Sequence, residues 1–268
     1  MTAPRNDEVS AADGAELLID DHGHVRVFTI NRPRSLNALT TGLARRFRTA
    51  LATADADPSV RAIVITGSGD RAFCAGGDLK EIAARADPSA PAPRAVTVLV
   101  RDRVATPVVA AVNGLAFGGG LELALACDLV VSGEHARFAL PEVKRGILAS
   151  GGGLVRLPGI VGPRRALQLL LTGEPVDAAT ALEWGMVNMV VRPGKVLTQA
   201  VELASDIAAN APLAVRASKA MVHASARLPE PEAWKANEAA HDEIARTGDA
   251  LEGPRAFAEG RPPTWTGS

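Results

Sequence analysis

The stretch Asn113–Val130, NGLAFGGGLELALACDLV, places one acid inside an apolar run that is expected to form a buried helix. Three glycines precede the run although glycine weakens any helix that it joins. Glu122 stands among leucines and alanines, where a carboxylate must be paired or protonated. Open N–H groups at a helix start stabilise negative charge, and a nearby acid can exchange protons. We therefore predict one reactive site here; the alternative is a packing device beside an acid that the helix dipole favours.

A second run of small residues, FCAGGDLKE, has the same design. Ala75, Gly76 and Gly77 precede Asp78, an N-cap residue with Glu81 three positions later, which is the spacing of a capping box. Two helix starts with unobstructed amides could bind one oxygen atom and form an oxyanion hole. Taken singly, either segment is explained more simply by a tight turn or by close packing, so the prediction depends on the two occurring together.

The composition argues against several other classes of function. Lys and Arg total 29 against 30 Asp and Glu, aromatic residues make up 3%, and tyrosine is absent, so no nucleic-acid partner is expected. The sequence has no run of the ~20 apolar residues that a membrane span needs, and its first residues do not resemble a signal peptide. Cys74 and Cys127 lack the spacing of a zinc site. We predict a globular, cytoplasmic, metal-free protein with no membrane partner.

Two familiar catalytic motifs are weak or missing. Residues 67–72, GSGDRA, follow a predicted strand and resemble a dinucleotide-binding fingerprint. That motif requires a helix to begin at the glycines, whereas the next predicted helix begins only at Asp78. The sequence also lacks the GxSxG motif of serine hydrolases. Neither a nucleotide cofactor nor a serine nucleophile is therefore expected.

The order of predicted elements indicates an α/β core followed by helices. We predict a hairpin with its turn at residues 21–23, a helix over 39–57 capped by Thr40, and buried strands over 60–67, 106–114 and 128–133. Strands separated by helices imply crossovers and a mostly parallel sheet. A Pro- and Ala-rich connection is predicted over 85–95, and the chain becomes largely helical after Pro163. No internal sequence repeat is visible.

Four motifs in order resemble the enoyl-CoA hydratase/isomerase (crotonase) family: NRPRSLNAL, FCAGGDLKE, AVNGLAFGGGLELALACDLVV and FALPEVKRGI. The resemblance extends over nearly the whole chain from about Glu16. It implies a crotonase-like ββα spiral core with a helical C-terminal region, assembled as a homotrimer or a dimer of trimers. We accordingly expect a flexible segment over residues 1–15, the core with the active site over 16–195, and an oligomerisation region over 196–268.

The resemblance also implies roles for individual residues. Glu122 and Glu142 match the two catalytic glutamates, and Ala75 and Gly119 match the residues whose amides bind the thioester carbonyl. The residues that match coenzyme A contacts are Arg32, Ser35, Leu36, Ala75, Gly76, Gly77, Asp78, Leu79 and, at a less specific C-terminal motif, Phe257 and Arg261. The chain departs from the family around Ser150, where glycine is common, and in the 87–94 segment.

The expected activity is the reversible addition of water to a 2-trans-enoyl-CoA, giving a 3-hydroxyacyl-CoA in fatty-acid or related acyl-CoA metabolism. No cofactor is expected beyond the coenzyme A of the substrate. A double-bond isomerase can work with one base, so the presence of both Glu122 and Glu142 favours a hydro-lyase. Three alternatives remain: an isomerase, a dehydratase of a carnitinyl-CoA-like substrate, and a non-enzymatic acyl-CoA binder.

Overall fold

The computed structural model describes residues 15–84 and 104–268. Apart from Ala15, the N-terminal segment predicted to be flexible lies outside these ranges, and so does the connection predicted over 85–95. Within them, the α/β core followed by helices is confirmed, and two sheets form the core.

The larger sheet has six strands in the order β1-β2-β3-β5-β7-β10. β1 and β2 form the predicted hairpin, although its turn falls at Gly23–His24, slightly later than predicted. The other strands pair in parallel with β2 and with one another. The strands are β1 (Leu17–His22), β2 (Val25–Ile30), β3 (Ala62–Gly67), β5 (Val108–Val112), β7 (Leu129–Gly133) and β10 (Met189–Val191).

The smaller sheet has four short strands in the order β4-β6-β8-β9. The first three run parallel, and β9 pairs with β8 in the antiparallel sense. Each of the three parallel strands follows a strand of the larger sheet along the chain, so the structure repeats a strand–strand–helix unit. This confirms the ββα spiral that the family resemblance implies, although the residue pattern itself shows no repeat. The strands are β4 (Ala72–Cys74), β6 (Leu115–Phe117), β8 (Arg137–Ala139) and β9 (Val176–Asp177).

Two helices cover opposite faces of the larger sheet. α1 (Thr41–Ala56) begins at the predicted cap, because the Thr40 hydroxyl accepts a hydrogen bond from the Leu43 amide. Its Phe47 packs on Phe28 with ring centroids 5.4 Å apart, within the range of favourable aromatic pairs. On the other face, α7 (Val196–Ala208) presents a stripe of small residues that packs on the valines of the sheet.

The remaining helices surround the site or form the C-terminal region. α7 is the first helix of the region predicted for oligomerisation, residues 196–268. Because it packs on the larger sheet, this helix belongs to the core of the single chain. No helix among the described residues is long and apolar enough to span a membrane. The helices are α2 (Leu79–Ala83), α3 (Gly119–Ala124), α4 (Gly153–Val161), α5 (Pro163–Thr172), α6 (Ala178–Glu183), α8 (Pro212–Ser225), α9 (Glu230–Ile244) and α10 (Gly248–Glu259), with 3₁₀ turns at Pro33–Ser35 and Pro141–Arg145.

Candidate active site

The three predicted site segments directly follow three adjacent parallel strands of the smaller sheet. β4 ends at Cys74 and leads into residues 75–78, β6 ends at Phe117 and leads into α3, and β8 leads into the turn that carries Glu142. Since the carboxyl ends of parallel strands lie at one edge of a sheet, the segments meet there. The Gly118 amide, which donates to the Ala139 carbonyl at 2.8 Å, joins the second segment to the third.

The backbone of the first segment is held by hydrogen bonds to residues 36–39. The Ala75 amide donates to the Leu36 carbonyl at 3.0 Å, and the Gly76 carbonyl accepts from the Leu39 amide at 2.8 Å. The Ala75 amide is therefore engaged, which conflicts with the expected role of Ala75 as an oxyanion donor. Among the described residues, the Gly77 amide donates no hydrogen bond, and it is the available donor of this segment.

Gly76 brings this segment against the start of α3. Its φ angle is +96°, and a Cβ atom at this position would lie 2.8 Å from the Gly119 nitrogen. Only glycine combines this backbone conformation with so close an approach. As the first residue of α3, Gly119 has an N–H group without an intrahelical acceptor. The amides of Gly77 and Gly119 thus belong to backbone segments in direct contact, as a two-donor oxyanion hole requires.

Glu122 lies within α3, whose residues are all buried, and is 3% exposed. Its Oε1 atom accepts a hydrogen bond from the Gly153 amide at 2.9 Å. Burial raises the pKa of Glu122, whereas hydrogen bonds from the Gly153 and Gly151 amides and the positive charge of Arg156 oppose the rise. The apolar surroundings predicted from the sequence are confirmed, and the loop before α4 supplies the compensating donors.

Glu142, in the 3₁₀ turn after β8, is 9% exposed. Its Oε2 atom is buried and has no hydrogen-bond partner among the described residues. Burial, together with the negative charge of Glu122, raises the pKa of Glu142 to about 7, although a hydrogen bond from its own backbone amide opposes the shift. A carboxyl group with such a pKa can donate or accept a proton near neutral pH.

Gly118 makes room for Glu142 beside α3. Its φ angle is +53°, and a Cβ atom there would lie 2.9 Å from Oε1 of Glu142. Two of the three glycines that precede Glu122 therefore have distinct steric uses: Gly118 admits the second glutamate, and Gly120 packs where any Cβ would overlap the Cys74 carbonyl. Gly119 lies between them as the first residue of α3. The glycine run and the acid belong to one cluster.

Arg32 and Asp78, both predicted to contact coenzyme A, form an ion pair of 3.0 Å beside this cluster. The Asp78 carboxylate also caps α2 by accepting from the Lys80 amide, but the predicted capping box is incomplete. Instead of returning to the Asp78 amide, the Glu81 carboxylate accepts from the Thr41 amide at 2.9 Å. Ser35 and Leu79 are exposed near the same segment.

Asn37, which was not among the predicted site residues, is fully buried and has a φ angle of +56°. Its side-chain amide donates to the carbonyls of Ala72 and Ser68, and its carbonyl accepts from the Arg32 amide. One side chain thus ties the Arg32 turn to β4. The only sign of this role in the sequence is that Asn37 is polar between Leu36 and Ala38.

The two C-terminal candidates are not brought to the cluster by any contact among the described residues. The Arg261 guanidinium pairs with Glu252 and Glu259 at 2.6 Å each, next to its own helix α10. The Phe257 side chain is 89% exposed. Within the described ranges, no three His, Cys, Asp or Glu side chains are grouped as a metal site.

Comparisons with known proteins show what the chain as a whole is similar to. The sequence profile described as enoyl-CoA hydratase/isomerase matches residues 20–268. A carnitinyl-CoA dehydratase from Citrobacter koseri is 39% identical over 253 residues, which cover 92% of this chain and 96% of that protein. The crystal structure of enoyl-CoA hydratase from Bacillus anthracis is 34% identical with a TM-score of 0.90, covering 95% and 100% of the two chains. That of enoyl-CoA hydratase from Mycobacterium tuberculosis is 37% identical with a TM-score of 0.88, covering 94% and 99%.

Proposed function

The chain belongs to the enoyl-CoA hydratase/isomerase family, and on that premise we propose that it adds water reversibly to a 2-trans-enoyl-CoA. The product is the 3-hydroxyacyl-CoA. The observation that carries the proposal is the pair of buried glutamates. Glu122 accepts a hydrogen bond from a backbone amide, whereas Glu142 has a pKa of about 7 and an oxygen without a partner in the described part of the chain. Water addition needs one group that takes a proton and one that gives a proton.

In the proposed mechanism, the substrate carbonyl accepts hydrogen bonds from the amides of Gly77 and Gly119. As water adds at C3, the electrons of the C2–C3 double bond shift toward the thioester and negative charge grows on its oxygen. Fixed donors stabilise this charge more than they stabilise the ground state. Each such donor is worth on the order of 10²–10³ in rate.

The two glutamates divide the proton transfers. Glu122, kept ionised by the amides of the 151–153 turn, takes a proton from water as the new C3–O bond forms. Glu142, protonated below its pKa of about 7, gives its proton to C2. Dehydration runs through the same steps in reverse, with each group in the opposite protonation state.

Coenzyme A would enter beside the 75–79 segment. The Arg32–Asp78 ion pair and the exposed Ser35 and Leu79 border the segment that supplies the Gly77 amide. We propose these residues, with Leu36, Ala75 and Gly76, as the coenzyme wall. The coenzyme is part of the substrate, and the mechanism uses no other cofactor.

A second candidate is the dehydration of carnitinyl-CoA, favoured by the 39% identity to the Citrobacter koseri protein. Carnitinyl-CoA is also a 3-hydroxyacyl thioester, so the same two glutamates would serve in the reverse direction. It differs by a quaternary ammonium group on the acyl chain, which demands a cation-tolerant pocket. The segment expected to border the acyl tail, residues 87–94, lies outside the described residues.

A panel of substrates separates these activities. Wild-type protein is mixed with 2-trans-enoyl-CoAs of increasing chain length, and loss of the conjugated-thioester absorbance reports hydration. Carnitinyl-CoA, for which the absorbance would rise, and a 3-enoyl-CoA complete the panel. Hydration by the wild type and its loss in an E122Q/E142Q variant are expected. Conversion of the 3-enoyl-CoA alone, or of no thioester, would contradict the proposal; fastest turnover of carnitinyl-CoA would select the second candidate.

We also propose a homo-oligomer, a trimer or a dimer of trimers. α8 and α9 have no fully buried side chain in the single chain, and Val222 and Trp234 are 68% and 60% exposed. Apolar surface of this kind is typical of an interface. Sedimentation at micromolar concentration should give a mass of three or six chains, and a monomer would contradict the assignment.

A further inference from the structure

Arg156 lies one helical turn beyond Gly152, at the start of α4, and folds back against it. The φ angle of Gly152 is +117°, and a Cβ atom there would overlap Nη1 of Arg156. The Arg156 amide also donates to the Gly152 carbonyl at 2.8 Å. The absence of a side chain at Gly152 therefore gives the guanidinium its place on the turn formed by residues 151–153.

The same turn holds Glu122. The Gly153 amide donates to its Oε1 atom at 2.9 Å, and a Cβ atom on Gly153 would lie 3.2 Å from that oxygen. The guanidinium of Arg156 thus packs on the turn whose amides bind the carboxylate. Its positive charge lowers the pKa of Glu122 against the effect of burial.

We propose that Arg156 is a positioning residue that fixes the 151–153 turn and keeps the Glu122 carboxylate negatively charged beside Glu142. The contribution of Arg156 to turnover rests on the proposed water addition. The effect of Arg156 on the charge of Glu122 is independent of that proposal, because it is a property of the substrate-free protein. Arg156 is outside the residues that the sequence analysis assigned to the site.

The other groups around Glu122 do not replace this charge. Glu142, from the turn after β8, is acidic and opposes ionisation of Glu122. Cys74, at the end of β4, is buried, and Cys127, after α3, is partly buried. Desolvation raises the pKa of both thiols to about 12, so they stay neutral at physiological pH. β6 brings no titratable side chain. Arg156 is therefore the cation that acts on Glu122.

The test compares R156M, which removes the charge, with R156K, which retains it, and with R164M as a control on the neighbouring helix, where Arg164 is exposed. The first readout is the titration of the Glu122 carboxyl carbon by ¹³C NMR in substrate-free protein, assigned with E122Q. R156M should raise the pKa of Glu122, because it removes a positive charge that lowers this pKa. R156K should recover at least half of that shift, and R164M should match the wild type.

The second readout is the pH dependence of kcat/KM for hydration. In R156M the acid limb should move to higher pH by the same amount as the NMR titration, with the alkaline limb unchanged. If R156M does not fold, R156Q makes the same comparison. An unchanged Glu122 titration in the neutral variant, or an equal shift in R156K, would overturn the inference. A shifted titration in a protein that hydrates no thioester would instead overturn the proposed function and leave the inference standing.

Discussion

The surroundings of Glu122 and Glu142 differ more in hydrogen bonding than in burial. Both side chains are nearly inaccessible, at 3% and 9% exposed. The 151–153 turn and Arg156 stabilise the negative form of Glu122. Glu142 has a buried Oε2 atom without a partner among the described residues, and it faces the charge of Glu122. This difference in hydrogen bonding makes Glu122 the base and Glu142 the acid. Burial raises the pKa of both groups, and the local hydrogen-bond donors determine that Glu122 is the one that stays ionised.

Removing either carboxyl should have the largest effect. E122Q and E142Q should each reduce hydration by about 10²–10⁴-fold, the range of general acid–base catalysis, and the double variant should be little worse because the groups act together. Acyl-CoA binding should persist, since the amides of Gly77 and Gly119 are unchanged. Kinetics and calorimetric titration with a product thioester measure the two effects. Near-normal turnover in E122Q would contradict the catalytic role of Glu122 and leave it as an acid that the helix dipole favours.

A side chain placed between residues 75–78 and the start of α3 should cause the next largest loss of hydration activity. In G76A the new Cβ would press on the Gly119 nitrogen, so hydration should fall by on the order of 10²-fold or more. G77A is the matched control, because its Cβ would meet only Ile82 at 3.8 Å and its amide would be retained.

G23A controls for backbone strain in that comparison. Gly23 has a φ angle of +63° with no atom within 4 Å of the added Cβ, so the substitution places an L-residue at positive φ without touching the site. It should retain wild-type kcat/KM. Equal losses in G76A and G23A would show that strain, and not the amide pair, causes the defect.

A smaller effect concerns pH. Hydration requires protonated Glu142, whose pKa is about 7, so kcat/KM should fall about tenfold per unit above that pH. Dehydration uses the same singly protonated pair, with the proton on Glu122, and its kcat/KM should fall in parallel, because the addition of water neither takes up nor releases a proton and its equilibrium constant does not depend on pH. A kcat/KM for hydration that does not fall above pH 7 would contradict the assignment of Glu142 as the acid. The apparent values belong to the coupled pair.

The smallest expected effect is on stability. The pKa of Glu142 rises from 4.5 to about 7 on folding, so between these pH values the folded chain binds more protons than the unfolded chain, and stability falls as pH rises. E142Q removes the ionisable group and with it this loss of folding free energy. It should raise Tm relative to the wild type at pH 8 by about 2–4 °C for each ~1 kcal/mol regained, with the difference shrinking toward pH 4.5. A constant difference at all pH values would contradict this explanation.

The sequence predicted the larger sheet and the family because their signals are strong. Continuous apolar runs marked β3, β5 and β7, and the Thr40 cap marked α1. The ordered motifs identified the crotonase-like fold, which the family match and the solved structures confirm. The strands, the helix cap and the motifs can each be read from residues that are adjacent in the sequence.

The smaller sheet and the amide assignment were harder to predict. β4, β6 and β8 have three residues each, too few for a periodic pattern, so the repeated strand–strand–helix unit was expected from the family resemblance alone. The Ala75 amide is engaged by the Leu36 carbonyl, a contact between segments far apart in the sequence that no local motif encodes. The same holds for Asn37 and Arg156, whose roles depend on which backbone atoms the fold places beside them.

The most direct test of the comparison is the ¹³C titration of both carboxyl groups in the wild-type protein, with resonances assigned from E122Q and E142Q. Glu142 should titrate near pH 7, and Glu122 should titrate below it. Two outcomes would contradict this prediction: Glu142 titrating near 4.5, or Glu122 titrating at the higher pH of the two.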